Sequence, residues 1–453
     1  SLLINPNFKK AIKKEKIGLE KNIENSKEEL KKLYDYSVYN FRKKMKELGF
    51  NSILKNKKNK KTYIISVQPN QFINNNSSDS DSENNTDITS GKLYFKDAVM
   101  QELNNIDSIP KSLIETGGIK IFTTMDVKSQ KKLEEAKDLY MSEDSELQIG
   151  ALMLNPDNGE VMAILGGTDY NKSQYNRAIS SKRQVGSTMK PFLYYAALES
   201  GFTSSSSFTS QKTTFNFSNN KTYTPKNYND KYANGIISMG AAISYSDNIY
   251  AVKTHLFLGE EMLVSMANRV GITSNLEPIP SLALGTEEIS IREMVTGYAA
   301  FANSGYLVNS HFIRRIEDFN GNVLYELKDE KKSILNESLV YILNEMLTYT
   351  YDKDFIDYNY PTLINLLPKI THKYSIKTGT TNTDNLIIGY NKKFVLGIWT
   401  GYDDNSKMIG GEGSIHKNIW IDTAEDFLGD NKDNEWYQLP NNVIGVVWST
   451  PML

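Results

Sequence analysis

The sequence predicts an α/β fold in which one five-stranded sheet carries packed helices. Three observations lead there. Residues 148–165 split around Asp157-Asn158-Gly159 into two apolar runs, a β-hairpin signal. Residues 374–381, 385–391 and 393–401 form three consecutive strand candidates joined by short turns. Between these groups lies a long, mostly helical and loop-rich stretch, roughly 187–350. Two strands, a helical insertion and three further strands compose one sheet with helices against it.

The elements before the hairpin follow in order. Residues 6–48 are charged and mainly helical, with Ile12, Ile17, Leu19, Ile23, Leu30 and Leu33 at about helical spacing. Residues 61–67 are rich in β-branched and aromatic side chains and read as a strand. Residues 73–91 contain almost no apolar side chain, cannot offset their ordering entropy by burial, and are expected to be a disordered loop. A helix over 94–103, a strand over 118–124 and a helix from Asp126, its N-cap, to about Met141 complete the series. There is no internal repeat.

Composition narrows the function classes. With 453 residues the chain suits roughly two or three domains of about 150 residues each. A hydrophobic fraction of 39% and 11% aromatics are enough for sizeable cores. The absence of cysteine excludes a thiol nucleophile, a disulfide framework and Cys-ligated metal. The net charge of −2 averages unlike parts: residues 1–61 carry 18 basic and 7 acidic side chains, and the remainder nets −13. That basic segment is either a solvated lysine-rich helical face or a contact for an anionic polymer or membrane.

His255, His311, His372 and His416 are scattered, so no metal site is expected, and no cofactor. Basic and aromatic residues do not interleave in a nucleic-acid-binding pattern, so nucleic acid is not an expected partner. No run approaches the roughly 20 apolar residues of a membrane span. The chain starts at Ser1 without a signal peptide, which suggests a piece of a longer protein.

Three short motifs carry chemistry. Ser187-Thr188-Met189-Lys190 is an S-x-x-K motif, entered through Gly186 and continued by Pro191 and an apolar helical run. Residues i and i+3 of a helix share a face, so the Lys190 amine can reach the Ser187 hydroxyl. A serine needs a neighbouring base to become a nucleophile, and a lysine whose pKa is lowered by burial or a nearby cation can be that base. The same spacing recurs at Ser129/Lys132 and Ser414/Lys417, where a solvated pair is the plain reading.

Ser246-Asp247-Asn248 follows 59 residues later, between two apolar helical segments. Ser246 is placed to relay a proton and Asn248 to hold a substrate carbonyl, although such a trio is also a common helix cap. Lys377-Thr378-Gly379-Thr380-Thr381 follows Ser246 by 131 residues. On a strand, Thr378 and Thr380 point the same way and can grip a carboxylate beside Lys377. Gly379 lets a substrate approach the backbone, and the Thr380 N–H can pair with that of Ser187 as an oxyanion hole. In this order, S-x-x-K, S-D-N and K-T-G form the signature shared by penicillin-binding proteins and class A β-lactamases.

With those motifs, the sequence resembles the transpeptidase domain of class A penicillin-binding proteins, which cross-link bacterial peptidoglycan. The likeness extends to TGGIKIFTTMDVKSQKKLEEA, GALMLNPDNGEVMAILGGTDYNKSQYNRA, TPKNYNDKYANG and LALGTEEISIREMVTGYAAFANSG, covering about residues 93–450. It implies a central five-stranded, mostly antiparallel sheet flanked by helices, with a large helical subdomain of the penicillin-binding/serine β-lactamase kind, plus a small N-terminal α+β segment. The corresponding domains are a basic N-terminal segment over 1–92, a linker region over 93–143 and a transpeptidase domain over 144–453.

The resemblance implies that Ser187 is the nucleophile, Lys190 the general base, and Ser246 and Asn248 the relay and substrate contact. Lys377 joins these catalytic residues, and Thr378, Gly379, Thr380 and Thr381 bind substrate. The implied reaction is D,D-transpeptidation of stem peptides with release of D-Ala, inhibited by β-lactams. A carboxypeptidase, a serine β-lactamase or a non-catalytic β-lactam sensor are the alternatives; Glu277-Pro278 matches the β-lactamase glutamate-proline pair only superficially. Implied partners are peptidoglycan stem peptides, β-lactams, other cell-wall synthesis and division proteins, and the membrane through an N-terminal segment missing here. The implied location is the outer face of the bacterial cell membrane. The upstream glycosyltransferase domain of class A proteins leaves no trace in the chain. Val185 stands where proline is common, and Leu386-Ile387 where an aromatic pair is usual.

Overall fold

The computed structural model describes residues 53–55, 62–66, 89–142, 145–217, 221–328, 331–430 and 436–445. The helix expected over 6–48 lies outside these residues, as does most of the loop expected over 73–91. Ser90 and Gly91, which that loop was to include, instead open the helix Ser90–Asn104, four residues ahead of its expected start.

The described residues divide into two compact units, one made from 96–126, 311–328 and described parts of 1–89, the other from 90–95, 127–310 and 329–453. In the smaller unit, Ile53–Lys55, Thr62–Ser66, Ile119–Thr123, Ile313–Asp318 and Val323–Glu326 form a five-stranded sheet in that order. Thr62–Ser66 runs parallel to Ile119–Thr123 and the other pairs are antiparallel. The last two strands form a hairpin inside the stretch expected to be helical and loop-rich. Its turn carries Asn320-Gly321, with Gly321 at φ +89°. Such a pair is a hairpin signal in its own right, but the flanking charges Arg314, Arg315, Glu317 and Asp318 mask the apolar alternation.

The larger unit is built on a second five-stranded sheet. We label its strands β1 (Gln148–Leu154), β2 (Val161–Leu165), β3 (Ser375–Thr380), β4 (Asp384–Tyr390) and β5 (Val395–Gly401). Their order is β3-β4-β5-β1-β2, wholly antiparallel, which is the expected sheet. β1 and β2 join through Asn155–Glu160, where the Asn155 N–H donates to the Glu160 carbonyl at 2.9 Å.

Strands covered on both faces read as continuous apolar runs rather than alternations, and β1, β4 and β5 do so. Helices α1 (Val127–Tyr140) and α7 (Ile415–Leu428) supply Leu133, Ile419 and Trp420 to one face, against Ile149, Ile387 and Ile398. Helix α5 (Ile291–Ala302) lies on the other, with Val295 and Ile291 beside Gly397 of β5. Its start is fixed by a capping box between Ser290 and Glu293. Further helices, α2 (Lys190–Glu199), α3 (Met239–Tyr245), α4 (Asn248–Leu258) and α6 (Glu337–Thr348), make the helical part. Residues 190–198 of α2 are all buried, so this helix has no solvent face. A lysine at its first position is carried into the interior with it.

Tight packing across the sheet yields a test. A methyl group at Gly389 would sit 2.4 Å from the Trp420 ring. The indole is held by its N–H bond to the Leu396 carbonyl at 2.9 Å, so it has little room to yield. Gly389→Ala is expected to cost about 1–3 kcal/mol, as overpacked core sites do, read as a lower urea midpoint.

Candidate active site

The nucleophile candidate sits on a tight turn. Gly186–Met189 form one 3₁₀ turn that runs directly into α2. The Lys190 N–H closes it on the Ser187 carbonyl, and Pro191 occupies the first turn of α2, where a missing N–H costs nothing. Ser187 is part-exposed at the head of this buried helix, while Lys190 is fully buried. Val185 stands just before the turn with φ −81°, close to the value proline would impose.

The second motif is a strained corner between two helices. Ser246 caps α3 in the left-handed region, φ +57° and ψ +43°. For a residue with a side chain this costs on the order of 1–3 kcal/mol and persists only where the surroundings enforce it. Asp247 caps α4 by accepting the Tyr250 N–H at 2.7 Å.

Both lysines converge on this corner. Lys190 Nζ donates to the Ser246 carbonyl and the Asn248 Oδ1, each at 2.7 Å. It also reaches Ser246 Oγ at 3.2 Å and the Asp247 carbonyl at 3.3 Å. Lys377 Nζ donates to the same Ser246 Oγ at 2.9 Å and to the Thr378 carbonyl at 3.0 Å. One hydroxyl thus bridges two buried amines. Burial pushes the Lys190 amine down to about 7, against a smaller opposing pull from the Asp247 carboxylate. Burial also holds the Lys377 amine well below the ordinary lysine value, helped by the charges of Lys190 and Lys417.

The third motif lies on the edge strand β3, and its backbone touches the nucleophile turn. A Cβ on Gly379 would come within 2.2 Å of the Val185 carbonyl oxygen, and one on Gly186 within 3.1 Å of the Thr380 nitrogen. A third glycine backs this contact: Gly285, at φ +69°, accepts the Gly186 N–H at 3.0 Å, and its added Cβ would strike the Gly186 carbonyl oxygen at 2.0 Å. The Thr381 N–H bonds back to Asp384 in the adjoining turn at 2.9 Å. Strand alternation therefore turns the Thr380 N–H to the open edge, the side on which Gly186 lies. Thr378 and Thr380 share a face of the strand, the first buried and the second exposed.

The structure brings eight of the nine expected residues, Ser187, Lys190, Ser246, Asn248, Lys377, Thr378, Gly379 and Thr380, to one junction of β3, the nucleophile turn and the α3–α4 corner. Thr381 stands at the turn that follows. Its hydroxyl bonds to the Asp384 carboxylate at 3.2 Å and accepts the N–H groups of Thr383 and Asp384, shaping the turn after the motif.

Several residues of this region escaped the motif reading. Asp384 is buried, takes the Trp399 indole N–H at 2.8 Å and the Thr383 hydroxyl at 2.7 Å. Arg183, just ahead of the Ser187 turn, lies over the Trp399 ring at 5.0 Å and 3.7 Å from Asp384. Asn227 and Ser210 both reach the Asp247 carboxylate. The available signal was the polar cluster TPKNYNDKYANG, which no spacing rule assigns. Glu277 is exposed. Leu386 and Ile387 are buried in β4. Among the described residues, no three His, Asp or Glu side chains gather as a metal site would require.

Comparison with known proteins identifies the family. A family model for the penicillin-binding protein transpeptidase domain matches residues 149–411. Penicillin-binding protein 2D of Bacillus subtilis (strain 168) is 41% identical over 355 residues, covering 78% of this chain and 51% of that protein. Penicillin-binding protein 1A of Aquifex aeolicus is 32% identical over 302 residues, covering 65% of this chain and 40% of that protein. The chain spans about half the length, or less, of these relatives.

Among solved structures, penicillin-binding protein 1A from Haemophilus influenzae superposes with a TM-score of 0.68 at 21% identity, covering 77% of this chain and 72% of that one. PonA1 from Mycobacterium tuberculosis gives 0.66 at 19% identity, covering 79% of this chain and all of that one. These two likenesses establish the fold. The family match spans more than half of the sequence, and the chain belongs to the penicillin-binding protein transpeptidase domain family.

Proposed function

We propose that this chain is a D,D-transpeptidase that cross-links peptidoglycan stem peptides through an acyl-enzyme on Ser187. The observation that carries the reading is the convergence of Lys190 and Lys377 on Ser246 Oγ, together with the backbone contact between the Ser187 turn and Gly379. Ser187 Oγ attacks the penultimate D-Ala carbonyl, and its proton passes to the neutral Lys190 amine. Ser246 Oγ, in contact with that amine, hands the proton to the departing D-Ala nitrogen as the C–N bond breaks. An amine from a neighbouring strand then attacks the ester, losing its proton by the reverse path and freeing Ser187. The carboxylate of the stem peptide is met by the Thr378 and Thr380 hydroxyls beside Lys377. Backbone N–H groups of Ser187 and Thr380 receive the oxyanion, where each donor is typically worth ~10²–10³ in rate.

A β-lactam presents a strained amide and a carboxylate to the same groups, so inhibition by penicillins belongs to the reading. Substrate chemistry places the working enzyme on the outer face of the bacterial membrane, among other cell-wall proteins. Among the described residues no helix is long and apolar enough to cross a membrane.

Labelling with a fluorescent penicillin and mapping the modified peptide tests the nucleophile. The expected adduct is on Ser187 and is lost in Ser187→Ala; an adduct elsewhere, or none, would falsify the assignment. Incubation with lipid II and a partner glycosyltransferase separates cross-linked product from simple D-Ala release.

The acylation rate is expected to rise with pH through about 7, as Lys190 loses its proton and becomes a base. A profile flat from pH 5.5 to 8.5 would count against lysine as the base. Gly379→Ala is expected to slow acylation about 10²-fold or more. Its methyl would press on the Val185 carbonyl and part the Ser187 turn from the Thr380 N–H. Intact-mass time courses read the effect.

A further inference from the structure

We infer that Asn227 is a positioning residue which clamps the Ser246-Asp247-Asn248 corner from outside both flanking helices. The role rests on the reading of Ser187 as nucleophile only for its effect on rate, since the clamp itself is a matter of hydrogen bonding.

A helix begins with N–H groups that have no partner within the helix. At the start of α4, Asn227 Oδ1 accepts the Asn248 N–H at 2.8 Å and the Ile249 N–H at 3.3 Å. The third N–H, from Tyr250, goes to Asp247 Oδ1. Asn227 Nδ2 donates to the other oxygen of that same carboxylate at 2.6 Å, and to the Lys231 carbonyl at 2.9 Å. One buried amide therefore supplies an acceptor for two helix-end donors and a donor for the buried Asp247.

The consequence reaches the lysines. All four acceptors around Lys190 Nζ, the Ser246 and Asp247 carbonyls, Ser246 Oγ and Asn248 Oδ1, lie on the clamped corner. The Asn248 side chain is pinned in addition by donating to the Lys226 carbonyl at 2.6 Å, on the residue before Asn227. Release of the clamp lets the corner relax and moves Ser246 Oγ away from the line between the two amines. A misplacement near 1 Å at a reacting group is enough for about a 10²-fold loss.

Two variants test this. Asn227→Ala removes every contact. Asn227→Asp keeps the acceptor for the two N–H groups but sets a carboxyl against Asp247. The new carboxyl has no amide N–H to give the Asp247 carboxylate, so the donor half of the clamp is lost while the acceptor half stays.

Expected for Asn227→Ala is a ten- to hundredfold fall in the limiting acylation rate by labelled penicillin, with less than a threefold change in the half-saturating concentration. Expected for Asn227→Asp is an acylation rate at least tenfold below wild type while Asn248 and Ile249 keep their exchange protection, with melting temperatures above the assay temperature throughout. A purely structural role would not lower the rate in a folded, protected variant. Amide hydrogen exchange over residues 239–258 gives a readout independent of chemistry, with Asn248 and Ile249 losing protection in Asn227→Ala. Should Asn227→Ala fail to fold, the Asp variant decides. Wild-type rates in Asn227→Ala, or in a folded Asn227→Asp, overturn the clamp. A wild-type protein that takes no label at Ser187 overturns the functional reading instead, and the exchange result then decides the clamp alone.

Discussion

Two lysine amines buried against one serine hydroxyl set the terms for the larger unit. An ammonium ion taken out of water costs several kcal/mol even after the surroundings relax. Here that cost is met by proton loss, with Lys190 brought down to about 7 by burial. Burial thus lets an amine lose its proton near neutral pH. The elements around it bring both amines to one place. An apolar helix without a solvent face carries Lys190 inward, and the edge strand β3 carries Lys377 in from the other side.

Two of the motifs are then held largely by residues outside them. The corner at Ser246 is tied by Asn227 and Asp247, with Ser210 on the same carboxylate. The turn after Thr380 is tied by Asp384, which engages Thr381, Thr383 and Trp399 together. In both places a buried carboxylate collects several donors, so that its charge is satisfied and its neighbours lose their freedom. Reactive groups held in this way need little reorganisation when substrate arrives.

The central sheet was legible because its strands are covered on both faces and stand out as apolar runs, with Asp157-Asn158-Gly159 marking the first turn. The candidate site was legible because K-T-G occurs once and because three spaced triplets in one order exceed what each says alone. The hairpin around Asn320-Gly321 was not, since Arg314, Arg315, Glu317 and Asp318 obscure its alternation. Its partner strand Ile119–Thr123 is also almost two hundred residues distant in the chain. Asn227 was equally hidden: its importance lies in the directions in which two side-chain atoms, Oδ1 and Nδ2, form hydrogen bonds, which composition and spacing do not encode. Thr381 illustrates the converse, a residue adjacent to a motif whose hydroxyl serves the turn beside it.

The stacked glycines Gly186, Gly285 and Gly379 join three separate segments by main-chain contact alone. Main chain has no side chain to exchange, so this part of the pocket offers selection almost nothing to vary. On the proposed reading, drift that weakens a β-lactam while sparing cross-linking arises elsewhere, in residues that lean on the pocket rather than form its floor. The rigidity that would make the floor a dependable place for an inhibitor would confine the routes of escape to its rim and supports.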